Sequence, residues 1–209
     1  GNYVGTDITG TVGLGNGEGG GVTTNLADGN TIGGSAPGER NVISGNAYQG
    51  VYIAGGTGNV VKGNYIGTNA GGTSAIPNDY GIDVEFNAIS TVIGGSMAGE
   101  GNLISGNAIH AVGLLPTSSA TTLLGNSIGT DGAGTGAIPN GYGIFVFNSP
   151  SNRVGGGSIG EENIISGNTG DGIGLWEEGT FGTAIYGNLI GVQADGTSPL
   201  GNSAGESHC

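Results

Sequence analysis

The chain has 209 residues, of which 51 are Gly and 6 are Pro, a composition that without a period would mark disorder. Three Lys and Arg against 16 Asp and Glu give a formal net charge of −13, which disfavours nucleic acid and anionic membrane surfaces as partners. The single Cys, Cys209, excludes an internal disulfide, and no apolar run approaches the roughly 18 residues of a membrane span.

The first segment, "GNYVGT" at Gly1, has neither the basic stretch nor the apolar core of a signal peptide. It returns as "GNYIGT" at Gly63, "GNSIGT" at Gly125 and "GNLIGV" at Gly187, at steps of 62 residues. "TIGG" at Thr31 is answered by "VIGG" at Val92 and "RVGG" at Arg153. "NVISGN" at Asn41 is answered by "NLISGN" at Asn102 and "NIISGN" at Asn163. One unit of about 62 residues is therefore used several times, and self-similarity at a fixed period is the mark of a repeat architecture.

Three families of short apolar segments divide the unit. One centres on Ile32, Val61, Ile93, Leu123, Val154 and Ile185. A second centres on Val4, Ile43, Ile66, Ile104, Ile128, Ile165 and Ile190, and a third on Val22, Val51, Ile82, Val112, Ile144 and Ile173. The first and third recur every 29 to 32 residues, whereas the second alternates long and short gaps. Ile32 to Ile43 is 11 residues and Ile43 to Val51 is 8; in the next unit the matching steps are 5 and 16. A loop before the second segment in one unit is matched by a loop after it in the next. Such compensation follows if every unit must close one turn of constant cross-section.

The segments are β-branched or aliphatic and bounded by Gly and Asn, which reads as strand. "GIDVEF" and "GIFVFN" alternate inward Ile82/Val84 and Ile144/Val146 with outward partners. The expected architecture is all-β: a single-stranded parallel β-helix, a solenoid of nearly seven turns of about 30 residues, over residues 1–202. An irregular tail is expected over 203–209. Gly at the sharp bends reaches positive φ without penalty. Asn46, Asn107 and Asn168 follow the "ISG" strands, and Asn64, Asn126 and Asn188 precede the other ladder's strands. Stacked at one corner, their amides would form ladders from turn to turn.

The "NVISGN…GVYI…NVVKGNYIGTNAGGTSAIPN…GIDV…TVIGG" pattern resembles the right-handed parallel β-helix repeat proteins, in particular long extracellular bacterial proteins with "NxISGN" and "GNxIGT" repeats. The resemblance runs from Gly1 to about Asn202. It implies right-handed coiling and a location outside the cell or on its surface. The family includes polysaccharide lyases, glycosidases, epimerases and adhesin stalks, so activity does not follow from the fold. Both ends fall inside a repeat, and no amphipathic helix is available to cap them. The expectation is a segment of a longer protein, or ends covered by copies of itself.

Outward positions of the third family form two columns: Thr23, Tyr52, Asp83, Gly113, Phe145, Gly174, and Asn25, Ala54, Glu85, Leu115, Phe147, Trp176. Rings beside carboxylates suit a saccharide platform. The candidate binding residues are Tyr52, Asp83, Glu85, Phe145, Phe147 and Trp176. Asp83 and Glu85 would have Cα atoms about 7 Å apart, compatible with a glycosidase acid/base pair. An exposed apolar patch equally marks a contact surface. Lyase chemistry on an acidic polysaccharide needs cations, and Arg40, Lys62 and Arg153 all fall off this face.

His110 is expected in a turn, and His208 lies in the tail; no zinc spacing and no nucleophilic triad is present. Asp7, Asn69, Asp131 and Gln193 recur in "GTDITGT", "GTNAGGT", "GTDGAGT" and "GVQADGT", which reads as a tight turn before a calcium site. Glu39, Glu100 and Glu161 are expected to face solvent. No catalytic residue, cofactor or metal is assigned. The expected role is a structural or interaction module whose partner is itself or another extracellular protein. The alternative is a carbohydrate-binding or polysaccharide-degrading module using the acidic, aromatic face.

Overall fold

A computed structural model describes residues 1–17 and 20–203. Apart from one 3-10 turn at Pro37–Glu39, all its regular structure is strand. The first two strands, β1 (Tyr3–Val4) and β2 (Val22–Asn25), make a partial turn. A complete turn follows in β3 (Thr31–Gly33), β4 (Val42–Ile43) and β5 (Gln49–Ala54). The next is β6 (Val60–Lys62), β7 (Tyr65–Ile66) and β8 (Tyr80–Glu85). Then come β9 (Val92–Gly94), β10 (Leu103–Ile104) and β11 (His110–Leu114). The fourth turn holds β12 (Thr122–Leu124), β13 (Ser127–Ile128) and β14 (Tyr142–Phe147). The fifth holds β15 (Arg153–Val154), β16 (Ile164–Ile165) and β17 (Ile173–Trp176), and β18 (Ala184–Ile185) and β19 (Leu189–Ile190) close with a second partial turn.

The strands stack into three parallel sheets of seven, six and six strands, each sheet taking every third strand or so along the chain. This is a parallel β-solenoid. Among the described residues it has five complete turns, with two strands of a further turn at either end. The three segment families are the three sheets. Val22, Val51, Ile82, Val112, Ile144 and Ile173 pair one above another in register. Ile43, Ile66, Ile104, Ile128 and Ile165 do so in the seven-stranded sheet. All five are fully buried, as are Val61, Ile93, Leu123 and Val154 of the third sheet. Burying each such side chain is worth about 1.5–3 kcal/mol. Strands of two or three residues hold only because this aliphatic stack continues through every turn.

The alternating loops are stacked as well. In one turn type the chain bulges outward after the seven-stranded sheet, and the bulge is pinned by antiparallel bridges Thr6↔Gly13, Thr68↔Ala75, Thr130↔Ala137 and Val192↔Pro199. Successive bulges meet across two turns: Ala70 N–H donates to Gly10 O at 2.9 Å, Gly132 to Gly72 O at 2.8 Å and Ala194 to Gly134 O at 2.9 Å. The recurrent Asp or Asn is a turn residue, as expected. Asn69 Oδ1 accepts from Thr73 N–H at 2.9 Å, and Asp131 Oδ1 from Thr135 N–H at 2.9 Å. In the last bulge Asp195, rather than Gln193, takes the side-chain role, accepting from Ser198 N–H at 2.7 Å.

Asparagine ladders run at two different corners, not one. Before the seven-stranded sheet, Nδ2 of Asn2, Asn41, Asn64, Asn102, Asn126 and Asn163 each donates to the Oδ1 of the next turn's Asn at 2.9–3.1 Å. After it, Asn16, Asn46, Asn78, Asn107, Asn140 and Asn168 do the same, ending on Asn202, at 2.8–3.0 Å. The two groups singled out from sequence are thus three of the seven Asn in each ladder. The rest are Asn2 and the leading Asn of each "NxISGN" in one, and Asn16, Asn202 and the Asn following each "IP" in the other. Gly5, Gly67 and Gly129 sit beside the second ladder at φ of 85°, 90° and 87°, and a Cβ at Gly67 would collide with Asn107 Oδ1 and Ser105 O. Only Gly meets both demands.

Glu39, Glu100 and Glu161 do more than face solvent. Glu100 pairs with Lys62 at 2.9 Å and Glu161 with Arg153 at 2.8 Å, while Glu39 accepts from Ala36 N–H at 3.1 Å. Lys62 and then the Met97 N–H hold the Glu100 carboxyl below the usual range, and the Ser158 N–H and then Arg153 do the same for Glu161. From residue 204 the expected tail, with His208 and Cys209, lies outside the described residues.

Candidate functional site

The sheet built from β2, β5, β8, β11, β14 and β17 carries the longest strands, of up to six residues, so its outer surface offers more side chains per turn than the other two walls. The outward columns read from sequence stand in the observed register. Tyr52 pairs with Asp83, Asp83 with Gly113, Gly113 with Phe145 and Phe145 with Gly174. In the neighbouring column Ala54 pairs with Glu85 and Phe147 with Trp176.

A third column, at the entry of these strands, joins them: Gln49, Tyr80, His110 and Tyr142 are in register. His110 belongs to β11, not to a turn, and it is 5% exposed. Its Nε2 lies 2.5 Å from Asp83 Oδ1, and Gln49 Nε2 donates to Asp83 Oδ2 at 3.1 Å. Asp83 is consequently only 2% exposed. The expected pair of accessible carboxylates is therefore one buried carboxylate bound by His110 and Gln49, and one at the surface, Glu85, which accepts from the Tyr52 hydroxyl. Burial first, then that hydrogen bond and the two carboxylates, raise the Tyr52 phenol well above its ordinary value, so it stays a donor.

Glycine sets the shape of the column. A Cβ on Gly113 would lie 2.5 Å from both Asp83 Oδ1 and His110 Nε2, and one on Gly174 would lie 2.5 Å from Trp176 Nε1. His110 and the Trp176 indole thus occupy the places a side chain at those positions would take. The result is a continuous aromatic stack along the solenoid axis. His110 lies parallel to Phe145 (centroids 5.9 Å, 10°) and Phe145 parallel to Phe147 (6.0 Å, 8°). Tyr80 tilts onto His110 at 4.9 Å, and Trp176 onto Phe145 at 6.3 Å.

The rings floor a groove of 730 Å³, open to solvent, whose rim includes Tyr48, Ile109, Tyr142 and Glu177. Trp176 and Tyr48 are each 46% exposed, so ring faces remain free. The six candidate residues from sequence are all on this wall, and five of them line the groove; Tyr52 backs it through Glu85. Gln49, Tyr80, His110 and Tyr142 were missed. The signal existed in "AYQGVY", "NDYGID", "AIHAVG" and "NGYGIF", which align two residues before the inward position.

No described Lys or Arg lines the groove. Lys62 and Arg153 lie on the neighbouring sheet, each paired with a Glu, and the Arg40 guanidinium sits 4.1 Å over the Tyr65 ring. Among the described residues no group of three His, Cys, Asp or Glu is arranged to hold a metal ion. Chemically, the wall offers stacking surface, acceptor oxygens and one imidazole. Comparison with family models, curated proteins and solved structures finds no match to this chain.

Proposed function

We propose that the chain is a rigid, non-catalytic module that binds saccharide along its long-strand wall. The observation that carries this reading is the row of rings on successive strands, Tyr80, His110, Phe145 and Trp176, beside carboxylate and hydroxyl groups in one groove. A turn advances by roughly 4.8 Å, close to the rise of one sugar ring, so several units of a linear chain can lie along the axis. Asp83 is enclosed by His110 and Gln49, which argues for binding rather than glycosidic cleavage. In this reading the solenoid is right-handed, as parallel crossover connections almost always are. It belongs with the extracellular bacterial β-helix repeat proteins that its "NxISGN" and "GNxIGT" motifs resemble.

A glycan array probed with the intact chain tests it. Binding to linear oligosaccharides that falls at least tenfold in Trp176→Ala and Phe147→Ala supports the platform; no binding to any glycan removes it. Turnover of a polysaccharide that vanishes in Asp83→Asn would overturn the non-catalytic part. A second reading, lateral self-association, draws on the same wall, where Tyr48, Tyr142 and Trp176 are 46%, 42% and 46% exposed. Sedimentation across a hundredfold concentration range separates the two, since a strict monomer ends the second.

A further inference from the structure

The charge of the groove narrows the ligand class, and this step rests on the saccharide reading. All three basic side chains are held on other surfaces, by Glu100, by Glu161 and by the Tyr65 ring. The groove itself is lined by three carboxylates, Asp83, Glu85 and Glu177, with the His110 imidazole bound to the first of them, together with six-membered and indole rings. Asp83 is turned inward to His110, but Glu85 is half-buried at the floor and Glu177 is exposed at the rim. A uronate or sulfated chain entering here would meet like charge from the site and from a molecule of net charge −13. An ammonium group would meet the reverse: carboxylates at close range and the negative faces of Phe145, Tyr142 and Trp176, whose rings draw cations.

We infer that the groove selects saccharide chains bearing free amino groups, such as linked glucosamine, over their N-acetylated and uronate counterparts. The aromatic column contacts the sugar faces, while Glu85 and Glu177 receive the ammonium groups. Glu85 keeps its second acceptor sites free, because Tyr52 uses one oxygen. The preference comes from charge at a partly solvated surface, so it is modest and sensitive to salt.

The test is calorimetric titration of the whole chain at pH 6 with β-1,4-linked glucosamine hexamer, N-acetylglucosamine hexamer and galacturonate hexamer. At low salt the glucosamine hexamer is expected to bind about tenfold more tightly than the N-acetylated one, the scale of two near carboxylates acting through water-like screening. That ratio should shrink several-fold on adding salt, and the galacturonate hexamer should be the weakest. Glu85→Gln and Glu177→Gln, which keep shape and an acceptor, should each lower the ratio about threefold. Asp195→Asn, on a distant bulge, should leave it unchanged. Equal or tighter binding of the N-acetylated hexamer overturns the inference while leaving the saccharide reading standing. An effect of Asp195→Asn as large as that of Glu85→Gln overturns it too, since the attraction would then be diffuse. Failure of all three hexamers to bind overturns the inference, and the glycan array then separates this from failure of the saccharide reading itself.

Discussion

Replacing Asn107 by Ala removes the middle rung of the ladder after the seven-stranded sheet. Asn107 is 1% exposed. Its Nδ2 donates to Asn140 Oδ1 at 3.0 Å and to Ile66 O at 3.2 Å, and its Oδ1 accepts from Asn78 Nδ2 at 3.0 Å. Each of those partners keeps a second bond after truncation. Asn140 Oδ1 retains Asn107 N–H, Ile66 O retains Ser105 N–H, and Asn78 Nδ2 retains Ile43 O. No group is orphaned, so the loss is the net worth of the three bonds, about 3 kcal/mol, a large part of the 5–15 kcal/mol that holds a typical domain. Asn16→Ala, at the exposed start of the ladder, removes a single side-chain bond and costs about 1 kcal/mol. Asn107→Asp is the sharper variant. At neutral pH it turns a donor into a charged acceptor facing Asn140 Oδ1 and Ile66 O, and burying an uncompensated charge costs more than the Ala truncation. Urea unfolding followed by far-UV circular dichroism orders the variants. If Asn107→Ala proves no worse than Asn16→Ala, or Asn107→Asp matches the parent at pH 7, the ladder does not hold the turns together.

Gly113→Ala leaves the strand backbone undisturbed, because φ there is not in the left-handed region, but its Cβ displaces Asp83 or His110. A loss of about 1–3 kcal/mol and a weakened groove are expected; a crystal structure of the variant that retains the Asp83–His110 bond refutes this. The Asp195 carboxylate accepts from Ser198 Oγ, Ser198 N–H and Thr197 N–H, which lower its pKa from 3.8 to about 2. Because the folded value lies below the unfolded one, the carboxylate's support of its bulge is complete above about pH 4 and is lost as pH falls through about 2. Carbon-detected NMR titration reads this directly, and a midpoint at or above 3.8 contradicts the hydrogen-bond assignment.

Much of the fold could be read from spacing because each turn must satisfy the same closure. Ile32, Val61 and Ile93 recur at nearly constant intervals and do stack in register. The unequal loops around Ile43 and Ile66 announced their own compensation. The outward columns were legible for the same reason: strand parity assigns Tyr52, Asp83 and Phe145 to one side once Val51, Ile82 and Ile144 are inside. Parity failed where the chain enters the wall. His110 and Tyr80 stand two residues before the inward position, just where loop gives way to strand, and alternation does not say where a side chain at such a junction points. The asparagine corners were merged for a similar reason, since spacing along the chain does not say on which side of a short strand a bend lies.

Period, composition and residue type together dictated the winding of parallel strands, the identity of the core stack, and an anionic aromatic wall, since each depends on local preference repeated at a fixed interval. Whether Asp83 was free or enclosed was decided in three dimensions. Gly113 omits a side chain, and His110 of the same strand takes that space and reaches Asp83 in the preceding turn. That contact joins residues 27 apart through the stacking of turns, and close packing of neighbouring coils, not any pattern along the chain, determines which groups in the groove remain open to a ligand.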